Sequence, residues 1–158
     1  MNISQWLFAK KIINQAYEAK KITGLPASIL AAQTILETGW GKSIPVDINT
    51  GDFSYNLFGI KAKALPYVLS YSPEFESGRW VVRLSKFRKY KNYAESFTDY
   101  GNLILRSERY LKAVANRNNA RAYIWELWKA GYATDPKYPE KVLQIAEQCK
   151  FIKKEERI

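Results

Sequence analysis

One apolar stretch, Pro26 to Gly41, constrains the fold of this chain more than any other segment. Proline is favoured at the first position of a helix, strong or neutral helix formers follow it, and Gly39 is a typical helix stop. The predicted helix is apolar on nearly every face, which is typical of an element at the centre of a core. The sequence therefore predicts a domain packed around this helix.

Glu37 is the ionisable residue of this helix, and it lies in the predicted last turn. The negative end of the helix dipole and the apolar neighbours both disfavour a charged carboxylate there. We therefore expect a buried carboxyl group with a raised pKa, which keeps its proton near neutral pH as a general acid must. The alternative is a buried carboxyl group that a tyrosine or lysine satisfies and that does no chemistry.

The composition indicates one folded domain with a basic surface. The 158 residues are 47% apolar and 15% aromatic, and this excess of rings favours a groove that stacks on sugars or bases. The formal net charge of +10 favours a polyanionic partner such as nucleic acid, an anionic membrane or a cell-wall polymer. A basic surface without a specific role would have the same charge.

The scarcity of thiol and imidazole groups excludes several kinds of site. The chain has one cysteine, Cys149, and no histidine, so neither an internal disulfide nor a zinc site of cysteine and histidine can form. Acid–base chemistry is left to carboxylates, lysine or tyrosine. The first residues lack a basic region followed by an apolar run, so we expect no secretory signal peptide, and no window predicts a membrane span.

The remaining patterns predict further helices and one β-hairpin in a single α+β, mostly α domain over residues 1–152. Trp6 and Leu103 are expected on buried helix faces, and Ser77-Gly78 is expected to form the hairpin turn. A charged tail, residues 153–158, is expected to fray. The predicted helices cover 5–22, 93–105, a segment from Asn118 or Asn119 to Gly131, and a last helix from Pro139, and the predicted strands cover 67–71 and 79–84.

Cations alternate with rings from Lys86 to Tyr93. This pattern could serve single-stranded nucleic acid through stacking and phosphate contacts. We favour a strand and connector whose rings pack inward while the charges face water.

Several motifs occur in the order and approximate spacing of one known family. They are Leu36 to Ser43, Asn56 to Lys61, Phe87 to Tyr90, Glu95 to Tyr100, and Gly131 to Pro136. Together they cover nearly the whole chain, which resembles the glucosaminidase domains of glycoside hydrolase family seventy-three. That family includes the hydrolase half of flagellar rod-associated proteins, autolysins and phage lysins. The resemblance implies a lysozyme-like fold, with the hairpin as one wall of a groove, and hydrolysis of the β-1,4 bond after N-acetylglucosamine in peptidoglycan.

The resemblance also implies roles for individual residues. Glu37 matches the catalytic acid, and Glu74, in the run Ser72 to Gly78, matches the second carboxylate, with Glu76 as a close rival. Such chemistry needs one protonated and one ionised carboxyl group, and the N-acetyl carbonyl of the substrate could itself act as the nucleophile. The expected substrate-binding residues are Tyr132, Asn56, Phe58, Gly59 and Trp40.

The resemblance implies peptidoglycan glycan strands as the partner, flagellar rod or export components as further candidates, and no metal, cofactor or nucleic acid. We expect location in the cell envelope, reached by flagellar, phage-holin or other non-classical release. A catalytically silent glycan-binding or flagellar scaffold module is the alternative, and a nucleic-acid binder using Lys86 to Tyr93 is the third hypothesis.

Overall fold

The computed structural model describes residues 1–157. It consists of seven α-helices, one 3-10 turn and one antiparallel hairpin, which confirms the predicted α+β, mostly α class. The helices are α1 (Ile3–Thr23), α2 (Ala27–Thr38), α3 (Tyr93–Arg106), α4 (Leu111–Ala115), α5 (Ala120–Lys129), α6 (Tyr138–Gln148) and α7 (Phe151–Glu155), the strands are β1 (Tyr67–Glu76) and β2 (Arg79–Arg88), and the 3-10 turn is Glu108–Tyr110.

Helix α2 lies at the centre of the core, as predicted. Every residue from Ala27 to Ile35 is buried, and the helix contacts α1, α6 and α7. Pro26 is its N-cap rather than its first helical residue, and Gly39 ends it in the left-handed conformation with φ of 55°. A wholly apolar helix is stable in water only when other elements cover all its faces.

Two predicted core residues are instead exposed. Trp6 is 49% exposed because it lies in the first turns of α1, and the buried residues of this helix begin only at Ala9. Leu103 is 38% exposed because it lies about 90° around α3 from the face formed by its buried residues. Both predictions were wrong because helical periodicity indicates which residues share a side of the helix. It does not give the exact direction of the buried side or how much of it other elements cover.

Residues 153–155 of the charged C-terminal segment continue helix α7, and Glu155 packs against the domain, so the prediction that these residues fray was wrong. Phe151 and Ile152 are buried, and the Glu155 carboxylate accepts hydrogen bonds from the N–H groups of Ala27 and Ser28 at 2.8 and 3.2 Å. Glu155 also forms an ion pair with Lys20 at 2.6 Å. A carboxylate at the first turn of α2 satisfies free backbone donors and the helix dipole.

The hairpin is longer than predicted, with ten residues in each strand, and its turn is formed by Ser77 and Gly78 as expected. Both turn residues have positive φ, as a two-residue hairpin turn requires. Near its base, Val68 and Phe87 are buried and pair with each other, whereas most residues toward the turn are exposed or half-buried. The hairpin therefore projects from the helical domain.

Both edges of the hairpin base are held by neighbouring segments. Asp47 accepts the N–H of Leu69 in β1 at 2.8 Å, and three backbone N–H bonds, the first from Leu69, lower the pKa of Asp47 to about 2. Backbone bonds of 2.9 Å join Ile60 to Arg88 and Ala62 to Lys86 on the β2 side. The base is thus bonded to the segments on either side of it, whereas the turn residues are exposed.

Among residues 1–157, no helix combines the length and the apolar composition needed to cross a membrane.

Candidate active site

A groove with a volume of about 420 Å³ runs between the end of α2 and the hairpin. It brings together Glu37, Asn56, Phe58 and Gly59, and residues 70–73 of β1 form one wall. A larger cavity of about 740 Å³ lies between segment 62–66 and α3, and no predicted site residue lines it. The groove is therefore the candidate active site.

Glu37 lines the groove, but its side chain is exposed rather than buried as predicted. The last turn of α2 leaves the core and opens into the groove, which the composition of the helix did not reveal. Loss of hydration nevertheless raises the pKa of Glu37, in the direction predicted, and a hydrogen bond from Tyr138 partly opposes this shift. Among residues 1–157, no lysine or arginine forms an ion pair with Glu37.

Tyr138 and Gln33, which the sequence analysis missed, hold Glu37 in place. The Tyr138 hydroxyl donates to Glu37 Oε1 at 3.3 Å and accepts from Gln33 Nε2 at 3.1 Å. Because Gln33 Nε2 can only donate, the Tyr138 hydroxyl accepts from Gln33 and uses its own proton for the hydrogen bond to Glu37. Gln33 lies one helical turn before Glu37 and is a polar residue in an apolar helix, so the spacing alone could have identified it.

Tyr132 lies beside Tyr138 rather than in the groove. The centres of their two rings are 5.7 Å apart, and the ring of Tyr132 is 6.2 Å from that of Tyr100. Burial, and to a lesser extent the charge of Glu37, raises the pKa of Tyr132. The loop thus brings Tyr132 to the group of tyrosines behind Glu37.

Glu74 lies on β1 and does not line the groove, although its neighbours Ser72 and Pro73 do. Its carboxylate forms an ion pair with Lys61 and accepts the Ser72 hydroxyl at 3.0 Å. The hydrogen bond from Lys61, followed by that from Ser72, lowers the pKa of Glu74, so the group is ionised at neutral pH. Glu76 is bound by Arg83 through two hydrogen bonds of 3.0 and 2.6 Å.

Asn56, Phe58 and Gly59 shape the floor of the groove. The buried Asn56 amide donates to the carbonyl groups of Ile60 and Arg88 at 2.8 and 2.9 Å, which ties the floor to β2. The Phe58 ring stacks on Tyr100 with 3.7 Å between centroids. Gly59 is exposed and has φ of 62°, which disfavours any other residue.

Trp40 lies outside the groove. It is half-buried against the core, with φ of 63°, and is not among the residues that line the cavity. Its predicted contact with substrate stays a prediction. Across residues 1–157, no group of three or more acidic, cysteine or histidine side chains is placed to hold a metal ion.

The fold and the site define a class of protein. A carboxyl group of raised pKa lines the groove at a helix end, and an ionised carboxylate lies on the adjacent hairpin; glycoside hydrolysis uses groups of these two kinds. Together with the helical domain and its hairpin, this arrangement is that of the lysozyme-like fold class. The chain belongs to the glucosaminidase family, whose model, described as mannosyl-glycoprotein endo-β-N-acetylglucosaminidase, matches residues 13–151.

Known relatives support this assignment. The chain is 39% identical over 150 residues to the peptidoglycan hydrolase FlgJ of Pseudomonas aeruginosa, covering 89% of this chain and 36% of the relative. It is 34% identical over 126 residues to the exo-glucosaminidase LytG of Bacillus subtilis, covering 77% of this chain and 43% of the relative. The chain thus spans less than half the length of these two relatives.

The fold is also that of a solved structure. A C-terminally truncated glycoside hydrolase domain of FlgJ from Salmonella typhimurium matches with a TM-score of 0.77 and 36% identity, covering 92% of this chain and 97% of that one. The lysozyme-like fold that the resemblance implied is confirmed.

Proposed function

We propose that this chain is a peptidoglycan hydrolase, an endo-β-N-acetylglucosaminidase that cleaves the β-1,4 bond after N-acetylglucosamine in glycan strands. The observation that supports it most is the position of Glu37, a carboxyl group of raised pKa in an open groove with no ion-pair partner among residues 1–157. Family membership and the names of the relatives support the substrate.

Glu37 acts as the general acid in this proposal. Its proton passes to the bridging oxygen as the bond from that oxygen to the anomeric carbon breaks, and positive charge develops on the sugar ring. A water molecule then adds to the anomeric carbon, and the proton it loses leaves Glu37 protonated again. Tyr138 is a positioning residue, because it fixes the Glu37 carboxyl group through one hydrogen bond.

Glu74 is the second carboxylate of the proposal. Its low pKa keeps it negative while Glu37 is protonated, so it can stabilise the charged sugar, attack it or orient the N-acetyl group or water. In this structure Glu74 forms an ion pair with Lys61 and does not line the groove. Glu74 therefore acts once its ion pair with Lys61 opens, and Glu76 stays the rival because it lies on the same face of β1.

The products of digestion test the proposed reaction. Mass analysis of peptidoglycan fragments is expected to show N-acetylglucosamine at the new reducing ends and a range of fragment lengths. N-acetylmuramic acid at these ends would contradict the glucosaminidase assignment, and single sugars or disaccharides released from chain ends would indicate exo cleavage. If the wall binds the protein saturably with no new reducing ends, the catalytically silent module is correct.

We propose that the protein acts in the cell envelope, because peptidoglycan is found there. Flagellar rod or export components stay predicted partners, and the release route stays a prediction as well. Phe87 is buried, and Arg88 forms an ion pair with Asp99 at 2.8 Å, which fits the structural interpretation of the Lys86 to Tyr93 segment.

A further inference from the structure

The outer face of the hairpin carries an apolar surface that no element of the described chain covers. Phe75, Trp80, Val82 and Leu84 are 63, 70, 69 and 47% exposed, and we name these four residues the hairpin patch. Because side chains alternate along a strand, the patch lies on the face opposite Glu74. Four large apolar side chains held together in water are typical of an interaction surface.

The hairpin and its flanks are also the most basic part of the chain. Residues 61–91 contain eight lysine and arginine residues and two glutamates, so about a fifth of the sequence carries six of the ten net positive charges. Both glutamates are already paired, Glu74 with Lys61 and Glu76 with Arg83. Arg88 and Lys89 also form ion pairs, with Asp99 and Asp52 outside this region. Four cations remain without an ion pair within residues 1–157 and are available to an external anion, namely Lys63, Arg79, Lys86 and Lys91.

Two of the cations flank the hairpin patch. Arg79 follows the turn and precedes Trp80, and Lys86 lies two residues beyond Leu84, on the same face of β2. Neither forms an ion pair within residues 1–157. Lys86 lies on the face of the patch, whereas Arg79 lies on the opposite face together with Arg83, next to Trp80 in the chain. An apolar surface with an unpaired cation on its own face complements an interface that is apolar inside and anionic at its surface.

We propose that the hairpin patch anchors the protein to an anionic lipid bilayer. In this arrangement Phe75 and Trp80 enter the boundary between headgroups and acyl chains, while Lys86 on the same face contacts the anionic headgroups. Trp80 suits this position because an indole ring has an apolar body and one N–H donor.

The geometry of the patch favours lipid over a sugar chain. The rings of Phe75 and Trp80 have centroids 5.4 Å apart but are tilted by 59°, so they offer no flat platform for a sugar ring. Val82 and Leu84 have no polar atoms for hydroxyl groups. A second copy is also disfavoured, because a stable dimer needs about 20–30 residues on each side and the patch has four.

This anchor goes beyond the proposed function and does not depend on it. The patch leaves the Glu74 face of the hairpin free, and none of its four residues lines the groove. Tyr71 and Pro73 lie between the patch and the groove, on the same face as the patch. Binding would therefore hold the groove close to the membrane surface without filling it.

Vesicle flotation tests the proposal. The full chain is incubated with vesicles of phosphatidylcholine alone or mixed with phosphatidylglycerol, and we expect it to float with the anionic vesicles only. The double variant Phe75→Thr/Trp80→Thr is expected to lose this binding and to keep its activity on glycan, because threonine suits a strand. The matched control Val81→Thr, on the opposite face, should bind like the parent.

A charge variant provides an independent test that leaves the apolar surface intact. Lys86→Gln should weaken binding to anionic vesicles about fivefold, since each cation near such a surface contributes about 1 kcal/mol. The proposal is wrong if the parent does not float, or if the double variant floats as well as the parent. The proposal is equally wrong if the double variant loses binding to purified wall but still binds vesicles. It is also wrong if the only effect of the double substitution is that a dimer of the parent protein dissociates.

Discussion

The helical core and the hairpin each present one carboxyl group, and the two environments shift the pKa values in opposite directions. Glu37 lies in the last turn of α2, where the helix leaves the core, no cation neutralises it within residues 1–157, and lost hydration raises its pKa. Glu74 lies on a solvated strand, where hydrogen bonds from Lys61 and Ser72 lower its pKa. The same residue type thus becomes an acid in one region and an anion in the other.

The two regions also differ in how firmly they are fixed. Helix α2 is packed on every side and capped at its first turn by Glu155, so the acid has a defined position. The hairpin is held at its base by Asp47 and by the segment from Ile60 to Ala62, and its turn is exposed. The comparison indicates a rigid acid and a second carboxylate that can move toward the substrate.

The largest expected effect is the loss of the acid. Glu37→Gln keeps the shape of the side chain but has no proton to give, so kcat/KM on peptidoglycan should fall by about 10²–10⁴-fold. Turnover of a soluble glycan and the circular dichroism spectrum are measured together. The control Glu140→Gln, an exposed position on α6, should be as active as the parent. A Glu37→Gln variant with full activity would refute the acid assignment.

Removal of the cap at the far end of α2 should destabilise the core. Glu155→Ala leaves the N–H groups of Ala27 and Ser28 and the Lys20 ammonium without their partner, so the free energy of unfolding should fall by about 2 kcal/mol. Urea denaturation measures this change. Glu156→Ala, an exposed neighbour, is the matched control. Equal stability of the two variants would mean that the contacts of Glu155 contribute nothing to the position of α2.

Tyr138→Phe should increase the difference in pKa between Glu37 and Glu74, because it removes the one contact that lowers the pKa of Glu37. Without this hydrogen bond the pKa rises further, so the alkaline limb of the pH–rate profile should move to higher pH. Activity at the optimum should fall less than in Glu37→Gln. A profile that keeps its alkaline limb, with activity lowered equally at every pH, would indicate that Tyr138 only supports packing.

The smallest effect is expected from Lys61→Gln, which should reduce the difference in pKa between Glu37 and Glu74. Loss of the ion pair raises the pKa of Glu74 toward its ordinary value, so the acidic limb of the pH–rate profile should move to higher pH. The alkaline limb, which Glu37 controls, should stay in place. If both limbs shift together, Glu74 and Glu37 do not control the acidic and alkaline limbs separately, which would contradict their assignment as anion and acid.

The parts of the fold that local signals determine could be predicted. The apolar run of α2, the start of α5 after Asn119 and the Ser77-Gly78 turn depend on residues close together in the chain, and all were predicted. Glu155 at the start of α2 could not be predicted, because its partners lie more than 120 residues away. A charged tail gives no local sign of the helix end that it caps.

The candidate site was predicted in the same uneven way. Motif resemblance identified Glu37 and the groove floor, but Tyr138 was missed because its hydroxyl meets Glu37 only through the packing of α6 on α2. The burial of Glu37 was overestimated, since composition shows that a helix is apolar but not where it emerges. The pairing of Glu74 with Lys61 depends on a register between the hairpin and segment 60–62, which the sequence pattern does not contain.

A titration of the side-chain carboxyl groups measures the opposite pKa shifts of Glu37 and Glu74 themselves. Carbon-13 NMR of the chain labelled at glutamate side chains follows each carboxyl group with pH, and spectra of Glu37→Gln and Glu74→Gln identify the two resonances. We expect the Glu37 signal to titrate above the ordinary glutamate pKa of 4.5 and the Glu74 signal below it. Two signals that titrate together, or in the reverse order, would contradict the assignment of acid and anion to the two regions.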